Sequence, residues 1–106
     1  MGDGGVGGTS LHRDEAVLWV DEASVVHVEG PLDLASAPGL RSVLHGMRSS
    51  AGPLRIDFSE VTFMDSSGLR VLIDINTMCP VHVLNPSRPV RLLFEMAAVT
   101  NVLHIE

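Results

Sequence analysis

One cysteine, few basic residues and no long apolar run set the first limits on this chain. Cys79 stands alone, so no internal disulfide can staple the fold. Met78 and Pro80 beside it offer nothing to activate a thiol, and it reads as a small core or loop residue. Seven Lys+Arg are scattered among thirteen Asp+Glu, for a net charge of -6. Without a basic stripe there is nothing to neutralise a phosphate backbone, and nucleic acid is excluded as a partner. No apolar run reaches the roughly 18 residues of a membrane span and no signal-peptide pattern appears, so the expected compartment is the cytoplasm, with no membrane insertion. Gly2 follows Met1 as in a myristoylation signal, but Val6 stands where that signal has Ser or Thr. There is no G-x-S-x-G elbow. His12, His27, His45, His82 and His104 are isolated from one another and from other ligands at metal-binding spacing. No catalytic residue, metal or cofactor is therefore expected.

What the chain does have is enough for one domain. It is 106 residues long with 45% hydrophobic residues. The stretch Met1 to Arg13 holds five of the ten glycines and little to bury, and is expected to be a disordered tail ahead of a single domain over 14–106. Residues 16–20 and 24–28 are β-branched runs spaced as a hairpin, which Gly30-Pro31 is expected to end, leaving Asp33 in a surface loop. Ser36 before Ala37-Pro38 reads as an N-cap. Leu40, Val43, Leu44 and Met47 then form one apolar helical stripe, closed by Ser50-Ala51-Gly52-Pro53.

Leu54, Ile56 and Phe58 alternate with Arg55 and Asp57 as in a strand, followed by Val61 and Phe63. The next helix has Leu69, Leu72, Ile73 and Asn76 inward and Arg70–Asp74 as an i,i+4 pair. Residues 81–84 form a strand and Asn85-Pro86-Ser87 a turn and cap. A third helix spans Pro89 to Val99 with Val90, Leu93, Phe94 and Ala97 inward, and a last strand spans Asn101 to Ile105. Strands and helices alternating after a hairpin imply an α/β fold with a mixed, partly parallel sheet.

The stretch between the central strand and the second helix, Phe63-Met64-Asp65-Ser66-Ser67-Gly68-Leu69, organises the rest. Either Asp65 or Ser66 can accept the first free N–H groups of the helix, leaving the remaining serine hydroxyl near solvent. Gly68 removes a side chain where another protein's backbone could come close. Taken alone, such a sequence is an ordinary helix cap.

With these elements placed, residues 16–105 resemble the STAS domain family, which includes the anti-sigma factor antagonists. Gly30-Pro31-Leu32-Asp33 resembles the family's G-x-L-D loop, 54–58 with 61–64 its central strand, and Asp65-Ser66-Ser67-Gly68-Leu69 its phosphorylation loop, followed by Leu84-Asn85-Pro86-Ser87. The resemblance implies about five strands with helices packed on one side. It also implies a switch protein rather than an enzyme. In such antagonists the serine matching Ser66 is phosphorylated by an anti-sigma factor that is itself a serine kinase of the histidine-kinase-like ATPase fold. The bare form binds that kinase and frees the sigma factor for transcription, and a metal-dependent serine phosphatase resets the switch. Asp33, Asp65, Ser67, Gly68, Leu69 and Arg70 are then the expected partner-binding residues around Ser66.

Three departures from the family stand out. The helix after Ser66 and its loop are about one turn short, ending at Cys79-Pro80. Arg70 replaces a small residue. The family's final helix is expected to be missing after Glu106, leaving apolar surface on Leu103 and Ile105. The alternative reading is a STAS module that scaffolds a lipid-transport or stress-signalling complex without switching.

Overall fold

The computed structural model describes residues 15–48 and 52–106. The glycine-rich stretch expected to be disordered lies outside them. Five strands and three helices follow in the order β1 (Val17–Val20), β2 (Val25–Leu32), α1 (Ala37–Met47), β3 (Leu54–Met64), α2 (Ser66–Asn76), β4 (Val81–Leu84), α3 (Arg88–Met96) and β5 (His104–Ile105). The strands form one sheet in sequence order, β1 antiparallel to β2 and each later strand parallel to its predecessor. Each parallel step moves the same way across the sheet, so crossovers of one hand place α1, α2 and α3 on the same face. This is the expected mixed α/β fold with helices on one side.

Burial follows that layering. Val26, Val28, Ile56, Phe58, Val81 and Val83 face the helices and are at most 1% exposed. The alternate residues, among them Trp19, His27, Arg55, Asp57, His82 and His104, lie on the open face. Leu40 and Leu44 of α1, Leu72 and Ile75 of α2, and Val90 and Phe94 of α3 close the core. Burying these side chains, each contributing about 1.5–3 kcal/mol, is the main force holding the two layers together.

The structure corrects the sequence reading in several places. Gly30-Pro31 does not end β2, which continues to Leu32. Its register against β3 shifts between Gly30 and Pro31, absorbing a residue that cannot donate to the ladder. Gly30 sits at φ 92°, and a Cβ there would lie 2.9 Å from the Glu15 carbonyl oxygen. β3, by contrast, runs as one strand through Met64, in line with the central strand expected from 54–58 with 61–64.

In α2 the buried set is Gly68, Leu69, Val71, Leu72 and Ile75. Ile73 is half-buried, and the Asn76 side chain donates to the Val102 carbonyl and accepts from the Val81 N–H. Ala97 is exposed because α3 has already ended at Met96 and the chain reverses at Ala98, with φ 56°. That turn, with the Leu103 N–H donating to the Val99 carbonyl at 3.0 Å, folds Leu103 into the core at 3% exposure. Ile105 also packs against the core, so the apolar surface expected on these two residues is not there. β5 is consequently short, His104–Ile105. Cys79 is buried, its thiol directed at the Gly52 carbonyl oxygen at 3.6 Å.

Candidate functional site: the α2 N-terminus and the α1–α2 groove

Leu32 of β2 and Met64 of β3 are register partners at the ends of parallel strands. The next residues, Asp33 and Asp65, therefore leave the sheet side by side. The Asp65 N–H donates to the Leu32 carbonyl at 3.3 Å, holding the two strand ends together as the loops begin. Asp65 then turns to extended backbone, φ -115° and ψ -172°, and its Oδ1 accepts the Ser67 N–H at 2.8 Å. Asp65, not Ser66, is thus the N-cap of α2. Ser66 is the first helical residue and is exposed.

The Asp33 loop is held from within. Asp33 Oδ1 accepts the backbone N–H groups of Ala35 and Ser36 at 3.1 and 3.2 Å. The Ser36 hydroxyl accepts the Asp33 N–H at 2.9 Å and donates to the Pro31 carbonyl at 2.9 Å. Ser36 precedes α1 as expected but does not cap it with its side chain, because its hydroxyl is spent on the loop. Ser87 behaves likewise ahead of α3, donating its hydroxyl to the Val61 carbonyl at 2.7 Å.

From Ser66 a groove of about 960 Å³ runs between α1 and α2, lined mostly by apolar atoms and by Arg41, Arg70 and Asp74. Arg41 donates from Nη2 to Asp74 Oδ2 at 3.0 Å, tying the helices across it. The anticipated Arg70–Asp74 pair is present only at 4.0 Å, with the Arg70 side chain 80% exposed. Leu34, in the loop beside the groove mouth, is 76% exposed. An exposed leucine and two arginines thus border the groove onto which the exposed Ser66 opens, with Asp65 capping the same helix and Asp33 at the adjoining strand end.

Of the residues expected to bind a partner, Asp33, Asp65, Ser67 and Arg70 are at least partly exposed at this end of the molecule, beside the expected acceptor Ser66; Gly68 is buried, and Leu69, 7% exposed, reaches the surface only as part of the groove wall. The space left by the missing side chain of Gly68 is filled by Leu32 of the same chain, whose Cγ would lie 2.8 Å from an added Cβ. The close approach belongs to the fold rather than to a visiting backbone. Sequence reading missed Leu34 and Arg41. Arg41 meets Asp74 from another helix, and no local pattern signals that; Leu34 is a leucine in a polar loop, which was a usable signal.

The resolved shifts in acidity lie on the open sheet face, away from this site. A hydrogen bond from His27 and further bonds from the Val25 and Ala23 N–H groups hold the Asp21 carboxyl below its ordinary 3.8. For Asp57, burial pushes the carboxyl up, but hydrogen bonds from Ser59 and Asn85 outweigh it and the net shift is downward. The histidines are also less isolated than their sequence spacing suggests, since parallel pairing of β4 and β5 brings His82 opposite His104.

No curated protein matches this sequence. Among solved structures, it is similar to an anti-sigma factor antagonist from Mycobacterium paratuberculosis, with a TM-score of 0.72 and 22% identity over 86% of this chain and 83% of that one. It is also similar to the anti-sigma factor antagonist SpoIIAA in its unphosphorylated form, with a TM-score of 0.63 and 20% identity over 87% of this chain and 88% of that one. At these identities the likeness establishes the fold. The family model for the STAS domain matches residues 17–106, and with nearly the whole described fold inside that match, the chain belongs to the STAS domain family.

Proposed function

We propose that this protein is an anti-sigma factor antagonist switched by phosphorylation of Ser66. The observation that carries the reading is the position of Ser66: exposed, first in α2, next to the N-cap Asp65 and near the Asp33 loop, and opening onto the α1–α2 groove. The partner is an anti-sigma factor with serine kinase activity and a histidine-kinase-like ATPase fold, and a metal-dependent serine phosphatase reverses the modification. The chain supplies a docking surface and an acceptor hydroxyl, and no catalysis of its own.

The switch follows from charge. Phosphate adds about 1.5 to 2 negative charges at pH 7. At the first residue of α2 those charges meet the positive end of the helix dipole, worth about 0.3–1 kcal/mol, and Arg70 one turn on at i+4 adds a few tenths. The fold is therefore retained. At the interface the sign reverses, because docking desolvates a dianion beside Asp33 and Asp65. Each 1.4 kcal/mol lost there weakens binding about tenfold.

The test is capture from the native cell extract on the immobilised chain with ADP or ATP, followed by mass spectrometry of the retained protein and of the chain. An ATPase-fold kinase held with ADP and lost with ATP, with one phosphate on Ser66, is the expected result. A chain that retains no such kinase and leaves Ser66 bare with ATP overturns the switch and favours a scaffolding STAS module.

A further inference from the structure

The open face of the sheet, on the side away from α1, α2 and α3, holds a group of ligands that the switch does not use. His82 of β4 and His104 of β5 are register partners, and Glu106 follows on the same side of the chain as His104. The two rings lie with centroids 4.1 Å apart. One carboxylate oxygen sits between them: Glu106 Oε2 is 3.5 Å from His82 Nδ1 and 3.3 Å from His104 Nε2. All three ligand atoms fall within 4.8 Å of one another.

We propose that His82, His104 and Glu106 form a site for a borderline divalent transition cation, with Zn²⁺, Ni²⁺ and Cu²⁺ as the class that fits. Ligands placed tetrahedrally at about 2.0–2.1 Å from Zn²⁺ have neighbouring atoms roughly 3.3–3.4 Å apart. The two His–Glu distances already match that edge, and only the nitrogen pair has to settle. Two imidazoles with one carboxylate select against Ca²⁺ and Mg²⁺, which require mostly oxygen ligands. The three side chains are 28%, 57% and 52% exposed for His82, His104 and Glu106, so an ion has a direct path in and a further coordination position stays open to water or to a ligand from another molecule.

The neighbouring charge permits this. Arg55 pairs with His82 from the β3 side, but its guanidinium is drawn the other way, donating to the Ala23 carbonyl in the β1–β2 turn at 2.6 Å. The backbone is also set for it. The Glu106 N–H donates to the Val83 carbonyl at 2.7 Å, and the Asn85 N–H donates to the Glu106 carbonyl at 3.3 Å, so Glu106 is fixed beside β4 before any ion arrives. A bound ion would cross-link the short β5 to β4.

The experiment is calorimetric titration of the full, tag-free chain with ZnCl₂ and NiCl₂, with MgCl₂ alongside, and hydrogen exchange on the same samples. The expected result is one equivalent of Zn²⁺ or Ni²⁺ bound in the micromolar range, no heat from Mg²⁺, and slower exchange of the Glu106 amide. His104→Ala and Glu106→Gln should each weaken binding at least tenfold, while His12→Ala and His27→Ala leave it unchanged. Both ligand positions are exposed, so these variants keep the fold, which the circular dichroism spectrum verifies. Undiminished binding in His104→Ala, equal binding of Mg²⁺, or no binding by about 1 mM overturns the site.

Discussion

Replacing Gly68 by alanine sets two effects against each other, and the structure decides between them. In a helix interior the exchange is normally favourable, because alanine exceeds glycine in helix propensity by about 0.8–1.0 kcal/mol. Here the added Cβ would lie 2.8 Å from Leu32 Cγ, 3.0 Å from its Cδ2 and 3.1 Å from its carbonyl oxygen. None of the three can retreat cheaply. The Leu32 side chain is fully buried, and its carbonyl is held in place by the Asp65 N–H.

Overpacking of this kind costs about 1–3 kcal/mol. The net expectation for Gly68→Ala is a loss of about 1 kcal/mol, read as a fall in Tm of roughly 4–8 °C for a domain of this size. The cause is separable by a double-mutant cycle in urea. Leu32→Ala alone costs about 2–5 kcal/mol, but it removes two of the three obstructing atoms. In that background Gly68→Ala should lose most of its cost, with a coupling of about 1 kcal/mol. A Gly68→Ala protein as stable as the parent, or a coupling of zero, would refute the assignment of this glycine to the internal packing of β2 on α2.

Three further outcomes are expected. Ser66→Glu should keep or slightly raise Tm, gaining about 0.3–1 kcal/mol at the helix N-terminus, while weakening the kinase at least tenfold, and Ser66→Ala should bind constitutively; a Tm loss in Ser66→Glu parallel to its loss of binding would mean damage to the fold rather than a charge effect. Leu34→Asp should change stability by no more than about 0.5 kcal/mol, the range for exposed sites, yet weaken the kinase about tenfold or more by spoiling an apolar anchor at the groove mouth; unchanged affinity removes Leu34 from the surface. The Asp57 carboxyl lies below its ordinary 3.8 in the folded protein. Its stabilising contribution is therefore complete above that value and is lost as the pH falls through the lower folded-state value. The Tm gap between parent and Asp57→Asn should shrink as the pH drops below about 4; a gap constant across that range sinks the idea.

How much of this was legible in the sequence depends on the range of the interaction that decides each feature. The alternation of Leu54, Ile56 and Phe58 and the Leu40–Met47 stripe are settled within a few residues of chain and were read correctly, while the cap of α2 was narrowed to Asp65 or Ser66 and the structure selects Asp65. The path of β2 through Gly30-Pro31 was not, because a proline inside a strand is tolerated only where the partner strand slips register, and β3 supplies that slip from elsewhere in the chain. Gly68 was given the wrong neighbour for the same reason. Its glycine requirement was visible, but Leu32 on β2 imposes it. His82 and His104 looked unrelated until β5 was laid parallel to β4.

The same limit applies to the proposed switch surface. The Asp33 loop and the Asp65-Ser66 turn are far apart in sequence, and no periodicity in either says that they meet; that came only through resemblance to a family. The physical cause is the parallel pairing of Leu32 with Met64, which makes two strands end at one level and release their loops in the same direction. Any chain that keeps this pairing and an acceptor in the first turn of α2 brings one loop to bear on the other. A substitution that slips the β2–β3 register should accordingly disable the surface even if every residue named around Ser66 is left in place.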